Sequence, residues 1–104
     1  MALRHYAVSG TPSAENDLVQ IAAWYAERHP AGEDRFFREF QKARYMLARQ
    51  PRIGRERREL RNGLWSWLVH PYLVFYVVDD AARAVVIERV IHGHMDIDSD
   101  DFEP

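Results

Sequence analysis

The chain has 104 residues, 47% of them hydrophobic, which suits one domain around a single core and leaves no room for a second. Having no cysteine, it offers no disulfide framework, no thiolate nucleophile and no cysteine-ligated zinc. Its net charge of -2 hides an asymmetry: residues 96–104 carry five acids (Asp96, Asp98, Asp100, Asp101, Glu103) and no base, while residues 1–95 hold 11 acids against 14 bases.

No apolar run approaches the roughly 20 residues that span a bilayer. The opening Met1-Ala-Leu-Arg-His-Tyr6 lacks the long apolar stretch of a secretory signal. A soluble, cytoplasmic protein without membrane association is expected.

Leu3 to Val8 alternates weakly and predicts a short first strand. Ser9-Gly-Thr-Pro12 is a turn with a helix start built in. The Thr11 hydroxyl can cap, and Pro12 falls at the first helical position, where its missing N–H costs nothing. Ala14, Leu18, Ile21, Ala22 and Tyr25 recur at helical spacing, opposite a polar face of Glu15, Gln20 and Glu27. His29-Pro30-Ala-Gly32 is expected to end this helix, because the residue before proline avoids helical torsions. A second helix is predicted from about Glu33 to Arg49, with acids at its start and Arg44 and Arg49 near its end, as the macrodipole favours. Its stripe of Phe36, Phe40, Ala43 and Leu47 reads as core. The short connection makes the two helices an antiparallel hairpin.

Pro51 and Gly54 bracket a loop in a stretch dense with arginine: Arg49, Arg52, Arg55, Arg57, Arg58 and Arg61. Arginine suits bidentate carboxylate and phosphate contacts. The cluster is either a solvated loop or a basic surface for an acidic partner or nucleic acid, masked by the acidic tail. Three strands follow, Leu64–Val69, Tyr72–Val78 and Ala84–Ile91, joined by a tight His70-Pro71 turn and a polar hairpin loop, Asp79 to Arg83. Apolar density on both faces of Tyr72–Val78 marks a central strand, one face under the helices and the other partly covered. The predicted fold is α+β, in the order β-α-α-β-β-β: an N-terminal strand and an antiparallel helical hairpin packed on one face of a small, largely antiparallel sheet. Residues 1–95 form the domain and 96–104 an acidic C-terminal tail. Trp65 and Trp67 lie two apart on one strand and share a face; Trp67 is expected in the core and Trp65 partly exposed beside a partner groove.

The run GLWSWLVHPYLVFYVVD (63–79), a polar turn and VIERVIHGHMD (86–96) resemble the C-terminal half of ParE-like plasmid-stabilisation toxins. These belong to the RelE/ParE superfamily of type II toxin–antitoxin systems. Thr11 to Ala14 followed by Asp17, Leu18, Ile21 and Tyr25 is similar to that family's first helix. Leu47 followed by Pro51, Gly54 and Arg55 resembles its turn after the second. The resemblance implies a cytoplasmic toxin, without cofactor, in a hetero-oligomer with a cognate antitoxin whose amphipathic C-terminal segment wraps it. It also implies action on a target such as DNA gyrase. Nothing in the sequence itself reads as a gyrase-binding motif.

The alternative is a ribosome-dependent mRNA endoribonuclease. The superfamily's ribonucleases supply arginines for the developing phosphate charge at two places that here hold Trp65 and Met95, and neither can stabilise an anion. A histidine-based variant would use His94, with His70 as a second imidazole, for acid–base work, and Arg55, Arg61 or Arg89 for phosphate. His92 and His94 also form an H-x-H pair beside Asp96, but Gly93 breaks the strand between them and no metal is expected. No P-loop, dinucleotide fingerprint or G-x-S-x-G occurs. The expected antitoxin- or target-binding residues are Arg55, Arg58, Arg61, Trp65, Arg89, His92, His94, Met95 and Asp96.

Overall fold

The computed structural model describes residues 5–102. It runs β1 (Ala7–Gly10), α1 (Pro12–Arg28), α2 (Pro30–Arg49), β2 (Arg55–Glu56), β3 (Leu64–Val69), β4 (Tyr72–Asp79), β5 (Ala84–His92) and a 3-10 turn at Ser99–Phe102. The five strands form one sheet in the order β1-β5-β4-β3-β2, in which only the β1–β5 pair is parallel. The expected α+β arrangement is therefore present, with one added two-residue strand. The first strand is set later than the expected Leu3–Val8, of which Leu3 and Arg4 lie outside the described residues.

Helix α1 begins as its residues dictate: Thr11 is extended, and its hydroxyl accepts from the Ala14 N–H at 3.1 Å. The helix stops at Arg28, but the reading of Pro30 and Gly32 as terminators needs correction. His29 alone, with φ -160° and ψ 74°, separates the helices, and Pro30 opens α2 three residues before the expected Glu33. A proline ends one helix and starts the next with equal ease. Gly32 is buried inside α2 for a steric reason: a Cβ there would meet the His29 ring and come within 2.9 Å of Tyr25 Cε1.

Both helices cover one face of the sheet. Phe36, Phe40, Ala43 and Leu47 are buried as expected, packed with Ile21 and Tyr25 of α1 against Val74, Tyr76 and Ile87 of the sheet. Each large apolar side chain removed from water contributes roughly 1.5–3 kcal/mol. The C-terminal half of α2 is tied to β1 by Arg44 Nη2 donating to the Val8 carbonyl at 3.0 Å and by the Tyr6 N–H donating to the Ala48 carbonyl at 2.8 Å. The other face carries a smaller core of Leu64, Phe75, Ile91 and Phe102. Phe102 belongs to the acidic tail, of which Ile97 and Phe102 fold back onto the domain. Its ring centroid lies 4.8 Å from that of Phe75.

A bulge between Phe75 and Tyr76 moves the β4–β5 register from Phe75↔Arg89 to Tyr76↔Ile87, so Glu88 has no partner on β4. Bulges re-aim side chains, and here Glu88 and Arg89, adjacent in sequence, come to line the same surface hollow. Trp65 and Trp67 do share a face, the helical one. Neither is fully in the core, contrary to the expectation for Trp67: both are partly buried against it.

Candidate functional site

Helix α2 stands off from the end of β3 and leaves a groove of about 650 Å³. Its walls are Phe36, Ala43 and Met46 of α2 and Trp67, Leu68 and Val69 of β3, and it closes at Tyr25, His70 and Pro71. His29, Arg35, Glu39 and Lys42 also line it. β2 pairs with Trp65 and Ser66, so among the described residues the β3 edge from Trp67 onward has no neighbouring strand. Leu68 on that edge is 57% exposed and Met46 36%. An exposed apolar strip beside an unpaired strand edge has the chemistry to take up another chain. Trp67, not Trp65, lines the groove. Neither Leu68 nor Met46 stood out in the sequence; Leu68 falls in an apolar–polar alternation that reads equally well as core.

The arginine cluster does not form one surface. Arg52 makes a two-pronged pair with Asp80 (3.1 and 2.7 Å), Arg57 binds Glu59 at 2.8 Å, and Arg58 binds Glu56 at 2.6 Å. Arg61 grips Glu88 with Nη1 at 2.9 Å and Nη2 at 2.5 Å, and Nη1 also donates to the Phe102 carbonyl. Arg57 stacks over Phe75, 5.5 Å from its centroid, and donates to Ser66 Oγ. Register places Arg55 opposite Ser66 and Glu56 opposite Trp65. Cross-strand partners share a face, so Arg55 stands on the outer side of the sheet and Trp65 on the helical side.

Arg89, His92 and Met95 come together in a cleft of about 290 Å³ with Asp17, Trp24 and Tyr72. Arg89 is held by Asp17, whose hydrogen bonds raise its pKa further above the ordinary value. Burial pushes the Tyr72 hydroxyl upward as well, with Tyr25 adding to it. His92 Nδ1 accepts from the His94 N–H at 3.1 Å, and the two rings stand 5.2 Å apart. His94, Met95 and Asp96 are exposed. His70 is exposed in the β3–β4 turn, which the Gly93 N–H ties to the end of β5 through the Pro71 carbonyl at 2.9 Å. Trp24, 48% exposed, joins this cleft, though the sequence offered no sign of it beyond its size. Among the described residues, no three His, Asp or Glu side chains gather in a metal-binding arrangement.

The helical hairpin on a mostly antiparallel sheet, with an apolar groove between α2 and β3, places the chain among small α+β proteins. Residues 8–97 match the model of the ParE toxin of the type II toxin–antitoxin system, parDE. The chain belongs to that toxin family, within the RelE/ParE superfamily. In fold it is similar to a chain of the chromosomal ParDE system from P. aeruginosa, at 16% identity and TM-score 0.69, covering 85% of this chain and 96% of that one. It is also similar to a chain of the RelBE2 toxin–antitoxin complex from Mycobacterium tuberculosis, at 28% identity and TM-score 0.63, covering 88% and 94%. No curated protein matches the sequence.

Proposed function

We propose that this toxin is neutralised by an antitoxin whose amphipathic segment lies in the α2–β3 groove, and that it acts by contact with a cellular target, DNA gyrase, without cutting RNA. The observation that carries the choice between contact and cleavage is the state of Arg61 and Arg89. A ribonuclease needs cations free to meet the charge that develops on phosphate. Both guanidinia are instead clamped by carboxylates, Glu88 and Asp17, one further N–H of each reaches a backbone carbonyl of the tail, and the third candidate, Arg55, lines a different hollow from His92 and Met95. Trp65 and Met95 occupy the places where the ribonuclease branch carries arginine. His94 sits exposed beside His92, with no carboxylate bonded to it among the described residues.

The antitoxin half of the proposal is supported by the groove: an amphipathic helix laid on Phe36, Met46 and Leu68 would bury that strip, and its acids would meet Arg35 and Lys42. Conditional expression of the chain alone tests the reading. Growth should stop, the DNA-damage response should rise and transcripts should remain whole. A short neighbouring reading frame, co-expressed, should restore growth. Cleavage of transcripts within translated regions, without DNA damage, would replace this reading with the ribonuclease one.

A further inference from the structure

The sheet face turned away from the helices carries a second surface. Its floor is Leu64, Phe75 and Ile91, all buried, with Leu73 partly buried and Leu68 exposed beyond them. Residues 96–102 cover part of this floor. Ile97 and Phe102 pack on it, while Arg61 and Arg89 donate to the backbone carbonyls of Phe102 and Asp101 at 2.9 and 3.3 Å. Among the tail's described carboxylates, only Asp101 adds to that hold, through a longer-range attraction to Arg89. Asp101 accepts from the Asp98 N–H and Asp98 from the Asp100 N–H, and none of Asp96, Asp98, Asp100 and Asp101 forms an ion pair among the described residues. Two apolar side chains, two carbonyl bonds and the Asp101–Arg89 attraction must therefore offset the entropy of ordering the segment, which leaves it displaceable.

The rest of the face is open. A hollow of about 740 Å³ wraps the β2–β3 edge from Ile53 and Trp67 on the helical side to Ser66, Leu68 and Leu73 on this one, bordered by Arg55 and Arg57. The Arg55 guanidinium has no hydrogen bond or ion pair among the described residues. The covered and open halves share one chemistry: an apolar floor with arginines at its border.

We propose that this face is a docking site for an acidic protein segment with a bulky apolar anchor, occupied in the resting chain by residues 96–102, which a partner segment of the same chemistry displaces. Complementarity supports the choice of occupant: Arg55, with only a longer-range attraction from Glu59, stands beside a floor that already accepts the ring of an acidic segment. Nucleic acid fits less well. Glu59, Glu88 and Asp17 neutralise Arg57, Arg61 and Arg89 and leave little net charge for a phosphate backbone, whereas a peptide can add carbonyls and apolar side chains, as the tail does. The face meets the α2–β3 groove at Leu68 but its floor of Leu64, Phe75 and Ile91 lies on the opposite side of the sheet.

The probe is a fluorescent peptide with the sequence of residues 96–104, titrated against the full-length wild type and the full-length Phe102→Ala variant. Removing the anchor should vacate the face, so the peptide should bind the variant at least about tenfold more tightly than the wild type, whose own tail competes. Amide resonances of Leu64, Leu73 and Ile91 should shift saturably with it. Adding Arg55→Glu to the variant should weaken the peptide at least about threefold and flatten its salt dependence, since less attraction is left to screen. Equal affinity for wild type and variant, or shifts confined to the helical groove, would overturn the proposal. So would displacement of the peptide by a single-stranded RNA but not by its unlabelled self. If Phe102→Ala does not fold, Phe102→Leu carries the test: it must bind the peptide at least about threefold more tightly than wild type, and equal binding counts against the proposal.

Discussion

Arg89 and Asp17, 72 residues apart, close a two-pronged ion pair, with Nε to Oδ2 at 2.8 Å and Nη2 to Oδ1 at 3.1 Å, and the same carboxylate accepts the Val90 N–H at 2.9 Å. One aspartate thereby fastens α1 to β5 through three bonds. The pair is mostly shielded, with side chains 30% and 14% exposed. Asp17→Ala strands both a guanidinium and a backbone donor, and should cost about 2 kcal/mol of stability, read as a lower urea midpoint at unchanged m. A midpoint within error of wild type would show that the pair adds nothing beyond solvation.

Asp80 anchors the other side of the sheet. Arg52 and the Tyr6 hydroxyl hold its carboxylate down from its ordinary 3.8 to about 2. A carboxyl depressed in the folded state contributes stability that is present above the unfolded value and is lost as pH falls through the folded one. Stability should therefore drop between about pH 4 and 2, and by less in Asp80→Asn, which has no proton to take up. Denaturant midpoints across that range read the difference directly. Identical acid limbs in both proteins would exclude a role for this site.

Gly32→Ala should destabilise the chain by about 1–3 kcal/mol, since its methyl must displace the His29 and Tyr25 rings at the helix junction. Helix propensity alone predicts the opposite sign, as alanine is the better helix former by about 1 kcal/mol. The sign of the measured change thus decides which effect governs the position.

That glycine also shows where sequence reading stops. The start of α1 is encoded locally, in Thr11 and Pro12, and the stripe of α2 in the spacing of its aromatics, so both were legible. Pro30 and Gly32 are ambiguous because the same residue types end helices and permit close packing, and only the neighbouring ring distinguishes the cases. β2 has two residues, too few for any periodicity. The arginine cluster was visible as composition. Its members' partners, however, are Asp80 and Glu88, 28 and 27 residues away from Arg52 and Arg61, and no local pattern announces them. The tail's acids dominate its composition and hide Phe102, the side chain that seats it.

At the candidate site, the exposed apolar strip should matter more than the charged loop. Leu68→Asp changes a side chain that is mostly solvent-exposed, so folding should be spared while antitoxin affinity falls at least about tenfold, as at other interface anchors. Arg58→Glu removes an exposed pair with Glu56 and should change affinity by less than about threefold, chiefly through the on-rate. Calorimetry or surface-capture kinetics with the purified antitoxin would separate the two. The reverse order would move the contact to the arginine loop.

Contact rather than catalysis is the central claim, and purified components test it most directly. Wild-type chain and His94→Ala are each incubated with DNA gyrase and relaxed plasmid, and in parallel with ribosomes translating a defined message. The account predicts that both proteins block supercoiling or trap cleaved DNA to the same extent, and that the message stays intact. A message cut at discrete sites by wild type, with the rate falling about 10²–10⁴-fold in His94→Ala and gyrase unaffected, would contradict it.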